Sequence, residues 1–172
     1  ELKACMGIDK IMNREHQLTA LLLKELSQIP GISILAGEHC HRLGIISFYH
    51  TRIHFNLIVK LLSDRFGIQV RGGCVCAGTY GHFLLQVDHE KSHKITEKIN
   101  HGDLSEKPGW VRISLHPVMR DDEVLFLISA LKAIIRNIEE WKKDYIYNPK
   151  KNEFQHRSQP AAQEWLQEWF KL

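Results

Sequence analysis

Apolar positions follow two rhythms along this chain, one near 3.6 residues and one near two. Over residues 8–28, the apolar positions Ile8, Ile11, Met12, Leu18, Leu22 and Leu26, followed by Ile29, keep a helical spacing. Glu15 is the one polar interruption, and Pro30-Gly31 stops the pattern. "ISILAG" predicts a short strand ending at Gly37, and the dense run Leu43 to Tyr49 predicts a second. The polar stretch 38–42 suits a turn, which would make the two antiparallel neighbours. Residues 53–66 predict a helix with Leu57, Ile58, Leu61 and Leu62 on one face and Lys60, Ser63 and Asp64 on the other. Gly67 stands where a helix end favours positive φ. "IQVR" reads as a strand running into Gly72 and Gly73. Residues 91–100 read as a short surface helix. "WVRISL" alternates between Pro108-Gly109 and Pro117 and predicts another strand. A long helix is expected over 121–142, with Asp121 as its N-cap and a stripe of Val124, Ile128, Leu131, Ile135 and Ile138. Beyond Tyr147, "NPKKNEFQHRSQP" reads as a polar linker. "AAQEWLQEWF" then predicts a terminal amphipathic helix with Trp165 and Trp169 four residues apart.

This order predicts an α+β fold: a small, mainly antiparallel sheet covered on one face by helices, in two layers. Residues 1–147 would form this unit and residues 148–172 the linker and terminal helix. A chain of 172 residues can bury most of a core without staples. The opening "ELKACMGIDK" reads like the middle of a helix, as if cut from something longer. Net charge is small, 23 basic against 20 acidic residues, with no block of one sign. That argues against a dedicated nucleic-acid surface. The most apolar window, Val124 to Ile135, contains Lys132 and is too short to span a bilayer. No secretory pattern is present, and four cysteines in a chain this long do not make a disulfide scaffold. Free thiols in a reducing cytoplasm are the expectation.

The chemistry centres on "VRGGCVCAGTYGHFLL", Val70 to Leu85. A Cys74–Cys76 disulfide would be strained, because alternate residues of a strand point the same way. Cys40, Cys74, Cys76, His39, His41 and His82 offer donors for zinc, yet not at the paired spacing of structural sites. Cys74 reads best as a packing residue. Cys76 follows a strand end and two glycines, with Arg71 five residues upstream to stabilise a thiolate, and is a candidate nucleophile.

"RGGCVCAG" followed by "KPGWVRISL" resembles the C-terminal part of class V aminotransferases, within them the cysteine desulfurase and selenocysteine lyase branch. These are pyridoxal-phosphate enzymes of the aspartate-aminotransferase fold. Arg71, Gly72, Gly73, Cys74, Val75, Cys76 and Ala77 match the family's pattern of arginine, small residue, glycine, two variable residues, then Cys-Ala. The resemblance runs from about residue 1 to 145. It implies that Cys76 accepts sulfur, attacking the sulfur of a cofactor-bound cysteine to leave alanine and an enzyme persulfide. It implies that Arg112 grips the substrate's α-carboxylate with its planar fork. Arg71 would brace the loop or the substrate end, and His82 is a candidate to move protons. The Schiff-base lysine would lie upstream, in a large domain, so this chain would be the small C-terminal domain and inactive alone. Its partners would be that domain, a second copy in a homodimer, and an amino-acid substrate. The stretch between Cys76 and Arg112 is longer than in typical desulfurases. "AGTYGHFLL" resembles a class V aminotransferase-like subgroup, which leaves the reaction open. A metal-binding module and a structural domain with packed cysteines are the other readings.

Overall fold

The computed structural model describes residues 2–74 and 78–158. Helix α1 (Leu2–Met6) breaks at Gly7, whose φ is 82°, before helix α2 (Ile8–Ser27). Strands β1 (Ile32–Ile34) and β2 (Ile45–His50) follow, then α3 (Phe55–Phe66) and β3 (Arg71–Gly73). Helices α4 (Gly78–Leu84) and α5 (His89–Asn100) lead to β4 (Trp110–Ser114) and the long α6 (Asp121–Trp141). A short 3-10 turn joins α6 to β5 (Tyr145–Asn148) and β6 (Glu153–His156).

The first four strands form one fully antiparallel sheet in the order β1-β2-β4-β3, and β5 and β6 pair as a separate hairpin. Period-two alternation decides what each sheet face carries. Ile46 and Phe48 of β2 and Val111 and Ile113 of β4 are buried. They share one cluster with Leu18, Leu22 and Leu26 of α2, Leu57, Ile58, Leu61 and Leu62 of α3, and Val124, Ile128, Leu131 and Ile134 of α6. Each such side chain contributes about 1.5–3 kcal/mol when fully buried. The helices therefore cover one face, as the hydrophobic pattern predicts. The other face carries Ile45, Ser47, Trp110, Arg112 and Ser114, and only short α4 lies against it, with Gly81 beside Trp110.

Several expectations need correcting. Residues 67–70 are unpaired, so the strand predicted at "IQVR" begins at Arg71 and consists of "RGG". The residue before α6 is Arg120 rather than Asp121; its N–H donates to Glu123, 2.8 Å away, while Asp121 opens the helix itself. The polar segment after Tyr147 is no linker as far as residue 158. Tyr147 and Phe154 stack at 4.8 Å, and Asn148 Oδ1 accepts the N–H groups of Lys150 and Lys151 to close the turn. The hairpin is tied to α3: Tyr145 O–H donates to Asp64 at 3.0 Å, Asn56 Nδ2 donates to the Asn152 carbonyl, and Arg65 pairs with Asp144 at 2.6 Å. Burial and the Asp64 carboxylate push the Tyr145 hydroxyl up to about 12. The predicted terminal helix, with Trp165 and Trp169, lies outside the described residues. Among the described residues, no helix is long and apolar enough to cross a membrane.

Candidate functional site

Arg112 sits in the middle of the sheet's open face. Its strand neighbours across the ladder are Ser47 of β2 on one side and Arg71 of β3 on the other. Directly opposed residues of an antiparallel pair project to the same face, so Arg71 and Arg112 place like charges side by side. Such a pair is unfavourable without an anion nearby. Arg112 lines a cavity of about 300 Å³ together with Leu35, Ala36, Arg42, Ile45, Ser47, Tyr80, Leu84 and Trp110. No carboxylate and no lysine belongs to that lining. Arg112 Nε is buried and has no hydrogen-bond partner. An unpaired buried N–H of a cation is costly, and a bound anion would remove the cost.

The other arginine in the lining is already engaged. Arg42 donates to the carbonyls of His39 at 2.7 Å, Leu35 at 3.3 Å and Ala36. It thereby folds the loop between β1 and β2 into one wall of the cavity. Sequence reading did not single out Arg42, Tyr80 or Trp110. For Trp110 the signal was present, because alternation in "WVRIS" puts it on the same face as Arg112.

Arg71 is exposed and lines a second cavity, of about 690 Å³, with Gly72, Gly73, Cys74, Phe55, Asn56 and residues of the β6 turn. The two glycines serve packing and backbone shape. A Cβ on Gly72 would lie 2.6 Å from Asn56 Oδ1 and 3.0 Å from Val59 Cγ2, and Gly73 has φ 106°, a region open to glycine. Together they let β3 press onto α3 and then turn the chain toward α4. Cys74 is half-buried, and its Cβ faces Gly81 of α4. Cys76, the candidate nucleophile, lies outside the described residues. His82 is on α4, where its Nδ1 meets Ser92 Oγ of α5 at 3.0 Å; it is not part of the Arg112 cavity. His39, Cys40 and His41 stand in the exposed loop before β2. Among the described residues, no three His, Cys, Asp or Glu side chains gather as metal donors would.

The open sheet face, with a buried guanidinium and no counter-charge, suits recognition of a small carboxylate from the side the helices leave free. Residues 1–127 match the family model described as Aminotransferase class-V. A cysteine desulfurase of Salmonella newport (strain SL254) is 36% identical over 72 residues, which is 42% of this chain and 17% of that protein. One from Salmonella typhi matches with the same figures. The chain therefore spans about a sixth of the length of these curated relatives. In shape it is similar to the apo structure of a cysteine desulfurase from Thermococcus onnurineus NA1. The TM-score is 0.55 at 18% identity, over 78% of this chain and 28% of that one, a likeness of fold alone. With the family model matching 127 of 172 residues, the chain belongs to the class-V aminotransferase family.

Proposed function

We propose that this chain is the substrate-gripping, thiol-bearing lobe of a pyridoxal-phosphate enzyme of the cysteine desulfurase type. Arg112 holds the α-carboxylate of the amino acid, Arg71 adds positive charge beside it, and Cys76 receives the sulfur. The observation that carries the reading is the buried Nε of Arg112, partnerless in a cavity lined by no acid. The match of 72 residues to cysteine desulfurases favours cysteine over other amino acids as substrate.

The Arg112 cavity has no lysine in its lining, so it offers no amine to the cofactor's aldehyde. These residues fit the acid end of a substrate and not the cofactor. The lysine is assigned to a large lobe upstream, which would close over the open sheet face. Ile45 and Tyr80, 47% and 60% exposed at the cavity mouth, are apolar surface such a lobe would cover. In the assembled enzyme the cofactor supplies the electron sink. The thiolate of Cys76 forms an S–S bond to the substrate sulfur as the carbon–sulfur bond breaks, and the carbon takes a proton to become alanine.

In the full-length holoenzyme, Arg112→Lys exchanges a fork for a point charge and should raise KM for cysteine about tenfold or more. Cys76→Ala should abolish alanine release and spare cofactor binding. Unchanged turnover in the cysteine variant would move the chemistry to transamination or another lyase reaction, which needs Arg112 but no thiol. An unchanged KM in Arg112→Lys would remove the carboxylate grip and with it the proposal. This chain by itself should release no alanine from cysteine.

A further inference from the structure

We propose that the indole N–H of Trp110 is a second donor to the anionic group held by Arg112, which makes Trp110 a binding residue for the substrate carboxylate. The proposal rests on the carboxylate reading of Arg112. Trp110 is 6% exposed and lines the same cavity, yet no hydrogen bond to it exists among the described residues. Tryptophan can only donate, and buried indole N–H groups usually find an acceptor. Nothing in the lining supplies a carboxylate to accept from it.

The ring's orientation is fixed from both sides. A Cβ on Gly81 would touch Cζ3 at 3.2 Å and Cη2 at 3.5 Å, so the far edge of the six-membered ring lies under α4. The pyrrole edge, which carries the N–H, is thus turned away from that helix. Across the ladder Trp110 faces Gly73, which has no side chain to cover the ring. On β4 itself, Trp110 and Arg112 are two residues apart and share the open face. A carboxylate has about four lone-pair sites, of which the guanidinium fork uses two. The remaining pair on one oxygen can take an N–H approaching from the side. A neutral tail of the ligand would meet the aliphatic walls Leu35, Ile45 and Leu84.

The test uses the full-length holoenzyme and two probes, alanine and ethylamine, which differ by the carboxylate. Trp110→Phe keeps a ring and removes the N–H. Its dissociation constant for alanine, from titration of the cofactor's absorbance, should rise about tenfold, the worth of one hydrogen bond to a charged group. The constant for ethylamine should not change. Equal weakening for both probes, or no weakening for alanine, overturns the proposal. Arg112→Lys run in parallel separates the two claims: if it too leaves alanine binding unchanged, the carboxylate reading itself has failed. Should Trp110→Phe not fold, an alanine-bound crystal structure decides. An indole nitrogen within about 3.2 Å of a carboxylate oxygen supports the proposal, and one beyond hydrogen-bond reach ends it.

Discussion

At the scale of single residues, the "RGG" of β3 shows how a site motif can be mostly structural. Gly72 has the α3 side chains of Asn56, Val59 and Phe55 within 3.3 Å of where a Cβ would sit. Asn56 cannot simply swing away, because its Nδ2 holds the carbonyl of Asn152 in the hairpin turn. Gly72→Ala should therefore cost about 1–3 kcal/mol by overpacking. The urea midpoint should fall with the slope unchanged. An unaltered midpoint would mean that α3 does not sit so closely on β3. Gly73→Ala should also destabilise, through strain at its positive φ and not through a clash, since no atom lies within 4 Å of its Cβ position. The arginine of the motif is the residue free to act: Arg71 is exposed, beside Arg112, and forms no ion pair among the described residues.

At the scale of elements, the long periodic segments were legible, and the short ones were not. Helices α2, α3 and α6 follow from their stripes, and β2 and β4 from alternation, because each buries one face in a common core. The β5–β6 hairpin escaped because its four-residue strands are polar on both faces apart from Tyr145, Tyr147 and Phe154. Its docking depends on partners 79 to 96 residues away in sequence. Helix α4 escaped because two of its seven residues are glycine and its packing rests on Gly81 against Trp110. The site was half legible. Arg112 was visible through its motif, while the cavity around it comes from the loop that Arg42 folds. That loop gives a test at its own scale. Arg42→Met removes three donors to backbone carbonyls, at about 1 kcal/mol each. Amides of residues 35–42 should exchange markedly faster, with little change in the global unfolding midpoint. Slow exchange in the variant would show that the wall holds without the guanidinium.

At the scale of the whole molecule, two buried histidines make stability depend on pH. His50 ends β2, and its Nδ1 accepts the N–H groups of Arg52 at 3.1 Å and Ile53 at 3.2 Å. His54 caps α3, with Nδ1 accepting the Asn56 N–H at 3.1 Å. Both bonds need that nitrogen unprotonated. Burial holds both side chains below the ordinary histidine range, and the neighbouring Arg52 charge lowers His50 further against a bond to the Pro30 backbone. The cavity they border adds Arg136 and Lys142, with Glu139 bound to Lys142 at 2.5 Å. A folded-state pKa below the unfolded value of about 6.5 means that the unfolded chain binds more protons in between. The contribution is therefore complete above about pH 6.5 and is lost as pH falls toward the folded values. Urea unfolding at pH 7.5 and pH 5.5 should show a lower midpoint in acid. His54→Asn keeps an acceptor at the cap and removes a proton site. In that variant the loss between the two pH values should shrink. The other histidines and the rising net charge act equally on both proteins, so an identical loss in the variant would assign the acid sensitivity elsewhere and leave the α3 cap without a part in it.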